Sequence, residues 1–335
     1  MDTYTLKRTI KAEAEYDVII AGGGPAGTVA AIAAGRAGKS VLLLEQSGCL
    51  GGMGTSGLVC AFDPMADGER QLVRGIMGEI VLEMYERGFL GPQVTPDFWQ
   101  KRYHCWTPFN PERLKLLLDE KTADAGVEVR FYTRVVDADS GGKRVNGVVT
   151  HNIEGLSFIP GKTFIDATGD AVLADLCGVE CHSNPEFMPG TLASLCGGID
   201  WSRVHKDVEW ETLQQAIADG HFTQPDRHLP GMSRVGEHVG YLNGGHLFGK
   251  DPLTCEGRSE GMVLGRKLAA EYESFYRTYL DGFEQAELVC TAALMGVRDT
   301  RRIAGEYELS FADYTARRQF ADQIGVFNKF VDIHV

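Results

Sequence analysis

"YDVIIAGGGPAGTVAAIAAGRAGKSVLLLE", residues 16–45, decides the fold. Residues 16–20 are a short apolar run, residues 21–27 a glycine turn, residues 28–38 an alanine-rich helix that Gly38 stops, and residues 40–45 a second apolar run. A glycine just past the last helical residue can take the left-handed conformation that ends a helix. Neither apolar run alternates with polar residues, which suits strands of a parallel sheet buried on both sides. The expected class is α/β, a Rossmann-like parallel sheet with helices on both faces.

The turn itself reads G-x-G-x-x-G at Gly22, Gly24 and Gly27, in the strand-to-helix context that gives the pattern its meaning. Gly22 permits the tight turn, Gly24 lets the backbone approach a pyrophosphate, and Gly27 allows the helix to pack closely on the strand. Pro25 and Ala26 open the helix, whose first N–H groups and positive dipole end suit phosphate. Glu45 closes the second strand, where a carboxylate can accept hydrogen bonds from ribose hydroxyls. These residues point to a dinucleotide and leave open which one.

Farther along, Leu72, Ile76, Ile80 and Met84 recur every four residues and predict a helix over 70–87 with one apolar face. A second helix is expected over 110–126, with Asn110 as N-cap, Pro111 in the first turn and Gly126 as the stop. Residues 127–139, 144–150 and 162–170 read as strands separated by turn residues. The stretch 183–285 differs, with most of the histidines, several Gly/Pro turns and one expected helix near 257–280. The expected organisation is a main domain over 16–182, an inserted α+β cap or substrate domain over 183–285, and a return to the main domain over 286–335.

A chain of 335 residues allows roughly two domains. Its net charge of -13 argues against a phosphate-backbone binder, which needs clustered Lys and Arg. No stretch approaches the roughly 18 consecutive apolar residues of a membrane helix, and residues 1–15 are too charged for a secretory signal. A cytoplasmic protein that binds neither nucleic acid nor membrane is expected. Eight cysteines are scattered along the chain, and most are expected to be reduced and buried. Cys177, Cys181 and His182 have no second cluster to complete a metal site, and there is no C-x-x-C. No metal is expected.

After Glu45 comes a second glycine loop, "GCLGGMGTSG" at 48–57, instead of the next regular strand–helix unit of a nicotinamide dehydrogenase. Here the sequence resembles the two-dinucleotide-binding flavoproteins. Gly51 and Gly52, followed by Met53, match the doublet that lies along the flavin's diphosphate and ribityl chain in that superfamily. Ala167-Thr168-Gly169-Asp170 match its late "ATG" strand end, and Thr133-Arg134-Val135-Val136 its segment beside the adenine. The resemblance implies FAD as cofactor, held by Gly22, Gly24, Pro25, Ala26, Gly27, Glu45, Gly51, Gly52, Met53, Val135, Ala167, Thr168, Gly169 and Asp170. "IDATGDA" at 165–171 and "GVRDTRRIAGEY" at 296–307 narrow it to the FAD-dependent oxidoreductases distantly related to fumarate reductase and succinate dehydrogenase flavoproteins. Members of that family continue past a "DIH" segment into a strand, glycine turn and helix that close the FAD domain. This sequence stops at Val335, just after Asp332-Ile333-His334, so the closing segment is expected to be lacking.

The arginine stretch is expected to be helical. Arg298 and Arg302 then share a face at i, i+4, with Arg301 on the adjoining edge and Asp299 and Glu306 as counter-charges. Charge pattern alone describes a surface helix laced with ion pairs. The resemblance implies instead that Arg298 and Arg302 are catalytic, facing substrate or flavin, since a guanidinium stays charged and grips a carboxylate bidentately. It also implies that His334, in "DIH", carries a proton near neutral pH. His246 and His104 are secondary candidates. The resulting expectation is an enzyme that transfers hydride between flavin N5 and a small polar or anionic metabolite. A flavin monooxygenase or hydroxylase, and a non-catalytic relic of the fold, are the alternatives. The partner is a small-molecule substrate, and a homo-oligomer is left open.

Overall fold

A computed structural model describes residues 3–142, 144–326 and 329–333. The chain divides into two compact units, and each is described by itself. The first comprises Met1–Leu50, Leu118–His182 and Arg301–Ala304; the second comprises Gly51–Leu117, Ser183–Thr300 and Gly305–Val335.

In the first unit the main sheet runs in the order Glu128–Arg130, Val41–Leu44, Tyr16–Ala21, Gly155–Asp166, Arg144–Asn152, Arg134–Gly141. The first four strands are parallel, with Ile19 paired to Leu42 on one side and to Phe164 on the other. The last two are joined antiparallel. Every residue of Val18–Ala21 and Val41–Leu44 is buried, which accounts for two strands without polar alternation. Ile19, Ala21, Leu42 and Leu44 enter one core with Val135, Val148, Ile159 and Leu173. Helix Pro25–Arg36 follows the glycine turn, and Gly38 at φ +74 stops it as expected. Helix Pro111–Asp124 runs from the second unit into the first at Leu118 and is capped by Asn110, whose Oδ1 accepts from Glu112 N at 3.0 Å and Arg113 N at 3.3 Å.

The second unit holds a four-stranded antiparallel sheet, ordered Ser233–Arg234, Gly240–Leu242, Ser194–Gly197, Glu287–Thr291. Helices Glu209–Ala218 and Cys255–Tyr279 supply Leu213, Tyr272, Phe275 and Tyr276 to a core shared with Phe222 and Phe283. The long helix is capped by Thr254, whose side chain accepts from Gly257 N at 3.0 Å. These smaller elements, taken by themselves, have the character of an inserted cap.

Three sequence expectations need correction. The helix expected over 70–87 spans Ile76–Glu86, because Gly75 sits at φ +64 and both Leu72 N and Val73 N donate to Met65 O. Helix Glu209–Ala218 was not foreseen, since a charged residue, Glu209, occupies its buried face beside Leu213 and Ala216. Residues 296–307 are not helical. Gly296 is bridged to Thr191, with N–H···O distances of 3.0 and 2.7 Å, and Arg302–Ile303 is a strand paired with Cys181–His182. Arg298 and Arg302 therefore share no helical face.

Candidate cofactor and substrate site

The three motif glycines meet different demands. Gly22 lies at φ +99, and a Cβ there would sit 2.5 Å from the Ala167 carbonyl oxygen. At Gly27 a Cβ would approach the Gly22 oxygen to 1.9 Å, so the helix lies too close to the turn for any side chain. Gly24 is different. Its φ of -67 and ψ of -174 suit any residue, and no heavy atom lies within 4 Å of where its Cβ would be. Neither strain nor packing asks for glycine at this position, whereas a ligand approaching the backbone would. Gly24 is also the N-cap of helix Pro25–Arg36, and no side chain caps that helix. The chain itself leaves the positive end of the helix uncovered, as a pyrophosphate site requires.

Glu45 is buried, and both carboxylate oxygens are held by backbone: Oε2 accepts from Gly23 N and Oε1 from Ser47 N, each at 2.7 Å. The main chain of Glu45 is fixed as well, its N–H donating to Arg130 O and its carbonyl accepting from Thr133 N. A carboxylate oxygen has two acceptor positions, so ribose hydroxyls can still be received. The ATG turn closes the cradle, with Ala167 N donating to Ala21 O at 2.8 Å. Gly169 has φ +80 and an open Cβ position. Thr168 donates to Asp166 Oδ1 through N and Oγ1, and its Oγ1 accepts from Val172 N at 3.0 Å. Asp170 accepts from Arg301 Nε through its carbonyl at 3.2 Å, while Arg301 Nη1 pairs with Asp175 at 3.1 Å. Arg301 thus braces the turn, a role its place in a charge-rich motif did not disclose. The side chain of Val135 is buried in the sheet core, so only its backbone is placed to meet a ligand. These residues fit the dinucleotide part of FAD.

The second glycine loop belongs to the other unit. Gly51 at φ +99 and Gly52 at φ +49 start a 3-10 turn, Gly52–Gly54, that contains Met53. Gly54 N donates to Gly51 O, Gly57 N to Gly52 O and Val59 N to Met53 O, so the loop is internally bonded.

Arg298, in the second unit, pairs with Asp332 at 3.5 Å; Arg302, in the first, is an exposed strand residue opposite His182. Asp299 is a structural pin, accepting from Asn184 Nδ2 at 2.8 Å and Met188 N at 2.9 Å. His334 lies outside the described residues. His104, at φ +50, stacks on Phe330. His246 Nδ1 lies 2.9 Å from Asp226 Oδ2 with both side chains buried, and Asp226 also accepts from His246 N and His228 N. Burial opposes the charge on Asp226, but these hydrogen bonds hold its carboxyl below the usual range. The sequence singled out His246 and missed its partner. All eight cysteines are free, yet only Cys60 and Cys196 are buried, and Cys255 and Cys290 are exposed. Burial pushes both buried thiols up, Cys196 to about 12, so neither is a thiolate nucleophile. Among the described residues no group of His, Cys, Asp and Glu side chains could hold a metal ion, and no helix is long and apolar enough to cross a membrane.

Strand, glycine turn, uncovered helix N-terminus and buried carboxylate together define a Rossmann-like dinucleotide-binding protein. The chain belongs to the FAD dependent oxidoreductase family, whose sequence model matches residues 17–335, and its cofactor is FAD. A protein encoded in the nifH2 5' region of Methanosarcina barkeri is 32% identical over 165 residues, which is 47% of this chain and 84% of that protein. The fold is similar to the myxobacterial chondrochloren halogenase, at 18% identity and TM-score 0.52 over 88% of this chain and 67% of that one. It is also similar to a geranylgeranyl bacteriochlorophyll reductase-like protein from Thermoplasma acidophilum, at 16% identity and TM-score 0.50 over 85% and 66%. The p-nitrophenol 4-monooxygenase of Pseudomonas putida matches at 14% identity and TM-score 0.50 over 88% and 70%. The chain spans about two thirds of the length of these structures, and at such identities the likeness is one of fold.

Proposed function

We propose that this oxidoreductase exchanges hydride with a small polar or anionic metabolite in the cytoplasm, and that it is distantly related to the fumarate reductase flavoproteins. Bound FAD supplies the two-electron chemistry at its N5. The open approach to Gly24 above an uncapped helix start carries the cofactor half of the reading, because nothing in the chain's own packing explains a glycine there, and the partly exposed pairing of Arg298 supports the anionic half. Gly22 and Gly27 set the turn and its packing, Glu45 takes the ribose, and Gly169 leaves room beside the ATG turn. Gly51, Gly52 and Met53 form the flavin-facing loop, and residues 183–285 serve as the substrate-binding cap. Arg298 is the anion grip, Arg302 a second cation, and His334 the proton carrier that the "DIH" segment implies.

The test is anaerobic reduction of the FAD-loaded protein by a panel of small hydroxy, amino and carboxylic acids. It is followed by loss of the flavin band near about 450 nm, the usual region for a bound flavin. Arg298→Ala and Arg302→Ala should slow reduction by the active metabolite at least tenfold; unchanged rates would remove them from the site. The fold shared with a halogenase and a nitrophenol monooxygenase supports a second reading, oxygen activation. Rapid NADPH oxidation in air, without reduction by any metabolite, would favour it.

A further inference from the structure

Arg298 already holds a carboxylate. Its Nη1 lies 3.5 Å from Asp332 Oδ2, and the same oxygen is 3.7 Å from Lys329 Nζ. A charge-assisted N–H···O bond is shorter, about 2.8 Å, so the carboxylate rests between two cations without a tight bond to either. The segment that carries it is laid down by other contacts. Lys329 Nζ is 4.9 Å over the Trp106 ring and 3.5 Å from Asp63 Oδ1, the oxygen to which Trp106 Nε1 donates at 2.9 Å. Phe330 stacks on His104 with centroids 5.3 Å apart. Arg298 and Lys329 both pair with Asp332, and Lys329 also pairs with the well-exposed Asp63, so loss of the Asp332 charge leaves two cations against one carboxylate.

We propose that Arg298 and Lys329 form a subsite for a ligand carboxylate, which Asp332 fills as a tethered stand-in that the ligand must displace. The inference rests on Arg298 being the anion grip of the proposed function, and it names the anionic group as a carboxylate. An aspartate side chain is a –CH2–COO⁻ group, so Asp332 shows the size of group that the two cations accept. Both Arg298 and Asp332 are partly exposed, at 26% and 33%, so the displaced side chain can turn into water. A tethered group competes at an effective concentration in the millimolar range, and weaker or more dilute carboxylates are turned away.

Acetate is the probe, since it reproduces the Asp332 end group, and acetamide is its uncharged isostere. Trp106 fluorescence of the FAD-loaded protein is followed as potassium acetate replaces potassium chloride at constant ionic strength, with Trp106→Phe identifying the signal. Asp332→Asn should lower the half-saturating acetate concentration at least about threefold, because removing an internal competitor lowers it by a factor of one plus the competitor's effective concentration over its intrinsic dissociation constant. Acetamide should give no saturation, and Arg298→Gln in the Asp332→Asn background should abolish it. Asp332→Ala gives the same comparison with a side chain that cannot hydrogen-bond. The proposal is overturned if both Asp332 variants titrate like the wild type or show no saturation, or if saturation survives Arg298→Gln. Such a result with FAD bound and metabolite reduction still dependent on Arg298 leaves the proposed function standing. Metabolite reduction indifferent to Arg298 strikes that function instead.

Discussion

Replacing Gly24 by alanine should separate cofactor binding from folding. Its backbone, at φ -67 and ψ -174, is open to alanine, and the new methyl group would meet no heavy atom of the chain within 4 Å. Loss of a glycine in a compatible conformation stabilises by about 0.4–1 kcal/mol through the unfolded chain. Alanine is a poorer N-cap than glycine by a comparable amount, so the apoprotein should change by no more than about 0.5 kcal/mol. The cofactor feels the change directly. A methyl group between helix start and pyrophosphate removes one charge-assisted hydrogen bond, about 1.5–3 kcal/mol, which is about 10- to 100-fold in Kd. At FAD equal to 100 times the wild-type Kd, binding adds about 2.7 kcal/mol to the wild type but only about 0.4 kcal/mol to a variant 100-fold weaker. Gly27→Ala is the contrast, because its methyl would fall 1.9 Å from the Gly22 oxygen and force the helix outward. It should lose about 3 kcal/mol with or without FAD. Flavin fluorescence titration and thermal melts with and without FAD measure both quantities. The reasoning fails if Gly24→Ala binds FAD within threefold of wild type, or if its apoprotein melts as low as that of Gly27→Ala.

Two carboxylates should report on stability against pH with opposite signs. Asp17 accepts from Lys162 Nζ at 2.8 Å and from Ser40, and Lys162 first among these holds its carboxyl down to about 2. Because the folded value lies below the unfolded value of about 3.9, its contribution is complete above roughly pH 4 and lost as pH falls towards 2. Lys162→Met should flatten that acid-side loss, read from urea midpoints at each pH; a slope identical to wild type would contradict the assignment. Glu209 is buried with Oε1 lacking a hydrogen-bond partner, and burial pushes its carboxyl above the usual range. A raised acid stabilises the fold at low pH and loses that contribution as pH rises through the folded value. Glu209→Gln should therefore stabilise at pH 7–8 by about 1 kcal/mol and do little near pH 4, and a loss of stability at neutral pH would refute this.

Residues 16–45 were legible because two buried strands, a glycine turn and a helix follow one another in sequence, and Glu45 bonds back to Gly23, even though the first strand also pairs with the distant Gly155–Asp166. The arginine stretch was misread because what shapes it is remote. Gly296 pairs with Thr191, Asp299 receives Asn184 and Met188, and Arg301 reaches Asp170 and Asp175, each more than 100 residues away in sequence. Charges spaced at i, i+4 look alike whether they line a helix or an extended segment pinned at several points. Asp226 was missed across the 20 residues that separate it from His246, and Glu209 because a charged residue stands among the apolar positions of its own helix. The long-range bonds also divide labour within the motif. Arg301 is committed to a turn of the cofactor cradle by two contacts near 3.1 Å, whereas Arg298 meets its carboxylate only at 3.5 Å. A guanidinium fixed in the fold cannot exchange one anion for another, while one in a looser pair can. We therefore propose Arg298, and not the motif as a whole, as the residue on which recognition of an anionic substrate turns.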